Sequence, residues 1–359
     1  MTGRVSSVQW LRGLAVLLVV FVHAVAVPAG AGGADAPAFA ALPNLRAFGN
    51  AGVDLFFVIS GFAMAHGMAT PRTVRGFLVG RVLRIWPLHL LGVLMAVLLV
   101  GAEPDGHAVV TTLTLLPLLC GTDYHLPVGA VGWTLGFEVL FYAVVALAMA
   151  RGWTPLRLCI GLGVLAATGL VVEPAWMPAR MLFNPLMGEF ALGVAVWLGW
   201  RRGLAPSVAP LAFAAGLLLL AAGLLGLLPV MIETEPALAV SGASGGARLL
   251  VWGLPFALVM LGTLDLKLPS GADRVLATFG NSSYATYVSH LTVVVLLQRW
   301  PMPAADQLPA FVATAVPVAL AVGLLVHREV ERPLSGWLRR RQGRGGSGRM
   351  PGRLPAAAG

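Results

Sequence analysis

The chain has 359 residues, 58% of them hydrophobic and only 11% charged, with a mean hydropathy of +0.85. Those values exclude an ordinary soluble domain and a disordered chain and leave a polytopic membrane protein. A net charge of +9 and a pI near 10.9 invite a nucleic-acid partner. The basic residues are scattered between apolar blocks, however, so no nucleic acid is expected and membrane topology accounts for the charge.

Ten apolar blocks are long enough to cross a hydrocarbon core of about 30 Å. They cover residues 8–28, 50–69, 84–101, 131–150, 155–172, 181–200, 208–230, 247–264, 275–298 and 308–328. Residues 108–120, AVVTTLTLLPLLC, form a shorter block interrupted by Pro117 and are expected as a re-entrant or surface helix. With the N-terminus inside, only Arg46, Arg180, Arg248 and Arg299 of the 24 basic residues fall outside. This is a strong positive-inside bias, and counting 108–120 as a span would spoil it. The expected fold is therefore all-α: one membrane helix bundle over residues 1–334, about ten transmembrane helices plus the short helix, in contact with membrane lipid and with both termini cytoplasmic. Residues 335–359, with RRRQGRGGSGRMPGR, are expected as a disordered basic tail near anionic lipid. Arg4, Arg12 and the later AVAVPAGA also resemble a cleavable signal peptide, but the polar residues within the first block favour a retained span. Cys120 and Cys159 fall near opposite faces, too far apart for a disulfide. No Cys or His spacing suits zinc, and no metal is expected.

Ionisable residues inside apolar blocks are expensive and normally face a cavity or a partner. In WLRGLAVLLVVFVHA, eleven residues separate Arg12 from His23, which returns a helix to within about 20° of its starting direction and lifts it about 16 Å. The two share one stripe. Arg12 is either an inner-face anchor or a site for an anion, and His23 either a packing residue or a general base. GNAGVDLFFVISGFAMA places Asp54 at the outer end of its span, where it is a candidate to orient His23, with Ser60 and the close-packing Gly61 deeper. Arg81 and Arg84 share a helical face before the third span, as an inner-side collar or a phosphate clamp. Trp133 and Glu138 follow in the fourth span, then Glu189, then Tyr284 and His290. Glu138, about two turns into its span, needs a partner, for which His23, His290 and an acceptor hydroxyl are candidates.

In this order the motifs resemble the acyltransferase family 3 integral-membrane O-acyltransferases. Their signature is matched by Arg12 and His23, the block Gly52 to Gly61, Arg81 and Arg84, Trp133 to Glu138, Ser283 to His290, and the close Glu331, Arg332, Pro333. GWTLGFEVLFY and NPLMGEFALG look most like members that acetylate exopolysaccharide. Val139 departs from a second acidic residue common in that family and Leu291 from a frequent proline, and no soluble hydrolase-like domain follows the membrane unit.

The resemblance implies an enzyme of a bacterial-type inner (plasma) membrane. It would move an acyl group, usually acetyl, from cytoplasmic acyl-CoA to a hydroxyl of a polysaccharide or lipid-linked saccharide. A sugar hydroxyl needs its proton removed as it attacks a thioester, which suits a positioned imidazole. The expected roles are catalysis by His23, Asp54 and Glu138, and donor binding by Arg12, Arg81 and Arg84. Ser60, Trp133, Glu189, Tyr284 and His290 are expected to line the acceptor cavity. The alternatives are acylation of a secreted macrolide-like small molecule, a proton-coupled transporter, and a structural subunit of an envelope machine. Oligomeric state is left open.

Overall fold

The computed structural model describes residues 5–28, 44–70, 73–103, 105–120, 124–129, 131–203, 208–228, 236–299 and 308–337. Of the expected tail, 335–337 continue the last helix and 338–359 lie outside the described residues. In chain order the helices are α1 (Ser6–Pro28), α2 (Leu45–Asn50), α3 (Gly52–Met68), α4 (Val74–Met95), α5 (Gly106–Thr114), α6 (Gly132–Ala150), α7 (Pro155–Thr168) and α8 (Met177–Leu182). They continue as α9 (Met187–Arg201), α10 (Val208–Leu224), α11 (Pro236–Ser241), α12 (Gly245–Arg248), α13 (Leu254–Thr263), α14 (Ser270–Gln298) and α15 (Leu308–Val326). Wider π turns at Ala96–Val100, Leu249–Gly253 and His327–Glu331 join or extend α4, α12 with α13, and α15.

Among the described residues, seven stretches are long and apolar enough to cross a membrane: Ser6–Pro28, Leu45–Met68, Val74–Val100, Gly132–Ala150, Met177–Arg201, Gly245–Thr263 and Leu308–Trp337. Three of the ten expected blocks fall outside this set. Blocks 155–172 and 208–230 become α7 and α10, apolar helices of only 14 and 17 residues. α10 stops because Gly226 takes a left-handed conformation, with φ 69°, just past its end. α14 is long but carries the polar run GNSSYATYVSH. Large apolar side chains such as Leu98, Leu211 and Leu218 stand exposed on the outside of the bundle, as an apolar surrounding requires. The chain is a multi-pass membrane protein.

α4 begins at Val74, a residue after its cap Thr73, whose hydroxyl accepts from the Gly76 N–H. Arg75, Arg81 and Arg84 therefore sit within the helix, not ahead of it as the apolar pattern suggested. Block 108–120 gives the short α5, capped by the Asp105 carboxylate accepting from Ala108 N–H at 2.6 Å. That N–H holds the Asp105 carboxyl below the usual carboxylate range. α5 folds back on α4: His89 Nε2 lies 3.0 Å from the Thr112 carbonyl, and Trp86 Nε1–H donates to that of Leu113.

The core is built on a few helix pairs, chiefly α1 with α14, α14 with α15, and α3 with α9. The α3–α9 crossing is closed by glycine on both sides, since a methyl group on Gly193 would overlap the Val58 carbonyl and one on Gly61 the Phe190 carbonyl. Contact this close lets dispersion act between helix backbones where lipid offers no hydrophobic drive. Gly193→Val should force α3 and α9 apart and destabilise the bundle by about 1–3 kcal/mol or more. Melting of the detergent-purified protein, read against Gly163→Ala at an open position, measures this.

Candidate active site

Five helices enclose a cavity of about 260 Å³ at the end of the bundle that carries the start of α1. α1 contributes Gln9 and Arg12, α3 contributes Phe56 and Ser60, and α4 contributes Arg84. Thr134, Glu138 and Tyr142 of α6 and Ser283, Tyr284 and Tyr287 of α14 complete the polar lining. Arg12 Nε–H donates to Ser283 Oγ at 3.2 Å, which joins α1 to α14 across the cavity. Ser60 Oγ–H donates to Glu138 Oε1 at 2.7 Å, joining α3 to α6. Tyr284 donates to the Ile85 carbonyl at 2.7 Å, and the hydroxyls of Thr134 and Tyr287 lie 2.6 Å apart. Glu138 and Glu331 are within electrostatic reach of both Arg12 and Arg84.

A second cavity, of about 180 Å³, adjoins the first and shares Ala63, Met64 and Arg84 with it. Arg81 lines only this one, with its guanidinium 5.7 Å and 5.6 Å from the ring centres of Phe77 and Tyr142. Arg84 is exposed and stands where the two cavities meet. Guanidinium groups of this kind match phosphate oxygens.

His23 lies further along α1, half-buried, and meets His290 of α14. His290 Nε2 is 3.3 Å from His23 Nδ1, with the ring centres 4.9 Å apart and the planes at 70°. Neither imidazole lines the larger cavity. The Tyr287 ring, 5.8 Å from that of His290, belongs to both neighbourhoods.

Several expectations are revised by this geometry. Asp54 does not orient His23: its carboxylate is fully buried against Arg248, which donates from Nη2 at 2.6 Å and Nε at 3.2 Å. Arg248, expected on the outer side, is 2% exposed and held inside the bundle by that carboxylate. Glu189 is likewise fully buried beside Asp54 and not in the cavity, and neither of its oxygens has a hydrogen-bond donor among the described residues. Trp133 packs edge-on against Phe137 instead of lining the cavity. Glu138 is partnered by Ser60, not by His23 or His290. Arg12, Arg84, Ser60, Glu138 and Tyr284 are brought together as one lining. Ser283, Tyr142, Thr134 and Tyr287 join them without having been singled out as site residues. Tyr287 and Ser283 lay within the quoted motif, and a helical-wheel projection from His290 would have put Tyr287 on its face.

The sequence model described as an acyltransferase domain matches residues 5–328. The chain belongs to this family. It is an O-acyltransferase enzyme, and the six motifs recognised in the sequence lie within or just beyond that span. It is similar to the exopolysaccharide production protein ExoZ of Rhizobium meliloti (strain 1021), 32% identical over 314 residues, covering 80% of this chain and 89% of the relative. It is also similar to the acyltransferase MdmB of Streptomyces mycarofaciens, 26% identical over 357 residues, covering 86% and 87%. No solved structure matches the chain.

Two substitution experiments separate the buried pair from the cavity. Arg248→Met strands a buried Asp54 charge and should destabilise the protein by about 3–5 kcal/mol, while the double change Asp54→Leu with Arg248→Met should recover much of that loss. Melting temperatures of the three proteins give the comparison. Glu138→Gln keeps the bond from Ser60 and the side-chain volume while removing the charge. Transfer activity should fall sharply with melting within a few degrees of wild type, and full activity or a large stability loss would remove Glu138 from the reacting site.

Proposed function

We propose that this acyltransferase moves an acetyl or other short acyl group from cytoplasmic acyl-CoA to a hydroxyl of an exported or cell-envelope polysaccharide. It acts in a plasma membrane with both termini cytoplasmic. The observation that carries the reading is the placement of Arg12 and His23 on one face of α1. Arg12 opens onto the larger cavity, which Arg84 also lines, and His23 stands about 16 Å further along the helix.

Arg12 and Arg84, with Arg81 beside them, hold the phosphate-bearing end of the donor. The acyl-carrying arm, about as long as the Arg12 to His23 rise, extends along the polar lining toward the imidazole. The cavity is far too small for the whole donor, so the nucleotide end stays outside it. His23 takes the proton of the acceptor hydroxyl as it attacks the thioester. Glu138, held by Ser60, gives the lining a fixed carboxylate that balances the arginine charge and offers an acceptor to bound hydroxyl or amide groups. The similarity to an exopolysaccharide production protein supports a polysaccharide acceptor.

The test uses membrane vesicles containing the full chain, radiolabelled acetyl-CoA and the producer's own exopolysaccharide. Label should enter the polysaccharide as alkali-labile ester. His23→Ala should lower the rate by about 10²–10⁴-fold with donor affinity near wild type. Arg84→Gln should raise the acetyl-CoA dissociation constant about tenfold per lost charge-assisted contact. Label found in a secreted small molecule instead would move the acceptor to the alternative class, and equal donor affinity in Arg84→Gln would return that arginine to a topology signal.

A further inference from the structure

A general base must present a bare ring nitrogen, and which nitrogen of a histidine carries the hydrogen is set by what the other one meets. The surroundings of the imidazole pair decide this. His290 is fully buried, and its Nδ1 lies 2.7 Å from the Tyr287 carbonyl oxygen and 3.2 Å from that of Thr286. Carbonyl oxygens only accept, so Nδ1 carries the hydrogen and Nε2 is left as an acceptor. That Nε2 faces His23 Nδ1 at 3.3 Å, and His23 Nδ1 also lies 2.8 Å from the Val19 carbonyl.

A bare lone pair at His23 Nδ1 would face two other lone pairs, whereas a hydrogen there bonds to both. His23 is therefore the Nδ1–H tautomer, and its Nε2 is free. The Val19 carbonyl already serves the helical ladder of α1, so the acceptor that is dedicated to the imidazole is His290. The edge-on contact of the two rings, with centres 4.9 Å apart, also fixes the plane of His23. Among the described residues, no other charged group enters this arrangement. α15 carries no ionisable residue between Leu308 and Val326, His23 is the one ionisable residue of α1 beyond Arg12, and on α14 the neighbouring Tyr287 hydroxyl is engaged by Thr134.

We infer that His290 is a positioning residue for acyl transfer, holding His23 through Nε2 in the tautomer and orientation that present His23 Nε2 as the base. This rests on the assignment of His23 as base. In the step, His23 Nε2 takes the acceptor hydroxyl proton as that oxygen bonds to the thioester carbonyl carbon. The carbon–sulfur bond breaks, and the coenzyme A thiolate leaves with the electron pair and takes the proton from His23 Nε2. The imidazole returns neutral, its Nδ1–H bonded to His290 throughout. His290 thus works behind the base, not in the acceptor cavity where its motif alone had put it.

The test compares two polar substitutions in the full chain. His290→Asn keeps a donor near the Nδ1 position, toward the Tyr287 carbonyl, but offers His23 no acceptor. His290→Gln reaches the Nε2 position with an amide oxygen. Rates of label transfer from saturating radiolabelled acetyl-CoA into exopolysaccharide are measured with donor affinity for both, beside His23→Ala. Positioning predicts that His290→Asn loses about 100-fold or more in rate, that His290→Gln stays within about tenfold of wild type, and that both bind acetyl-CoA within twofold of wild type. If the two variants are equally active or equally impaired, or if Asn exceeds Gln, the inference is overturned. A His23→Ala protein that transfers at the wild-type rate removes the base itself. An inactive His23→Ala with fully active His290→Asn removes only the positioning role.

Discussion

How closely α1 can approach α14 governs the polar chemistry of this bundle. Gly280 leaves room for the Gln9 carbonyl where any side chain would collide, and Gly13 faces the same crossing from the other helix. Backbone contact at that level sets the register of the two helices along their whole shared length. Arg12 then meets Ser283 on the cavity side and His23 meets His290 further along. A bulkier residue at the crossing would alter both pairs together, because a rigid helix transmits a local displacement to every turn beyond it.

Arginine and carboxylate meet twice in the bundle, with opposite outcomes. At Asp54 and Arg248 the pair is closed, with two hydrogen bonds and 0% and 2% exposure. Such a pair repays its desolvation only through good geometry and serves mainly to hold α3 against α12. Around Glu138 the arrangement is open. Its carboxylate has one hydroxyl partner, while Arg12 and Arg84 reach it through space and keep guanidinium donors facing the cavity. The same chemistry thus fastens helices in one place and lines an open cavity in the other.

Much of this was legible in the sequence because membrane burial makes polar residues conspicuous. Helical content and the short helix after Asp105 follow from apolar blocks, while Arg12, Arg84, Ser60, Glu138 and Tyr284, expected in three separate roles through the family resemblance, share one lining. Partner choice was not legible. Asp54 and Arg248 are 194 positions apart, and nothing in the spacing says that an arginine at the edge of one span closes on a carboxylate at the edge of another. Glu189, equally conspicuous, lies in that buried cluster and not in the cavity, since helical periodicity gives a face but not the neighbour it meets. Block boundaries overran the helix where apolar residues continue beyond it, as after Leu224, because hydrophobicity does not register the left-handed turn at Gly226.

The bond between Arg12 and Ser283 joins residues 271 positions apart. α1 is made first and α14 near the end, so a growing chain holds Arg12 and His23 in the membrane without the helix that later satisfies them. Arg12, near the start of its span, can meanwhile extend its side chain to the aqueous boundary. His23, deeper, has only the Val19 carbonyl of its own helix. Catalytic competence therefore arrives late in biosynthesis, with the insertion of α14. A chain truncated before that helix would carry Arg12, Arg81 and Arg84 without Ser283, Tyr284, Tyr287 and His290, so a partial product would hold only part of the polar lining.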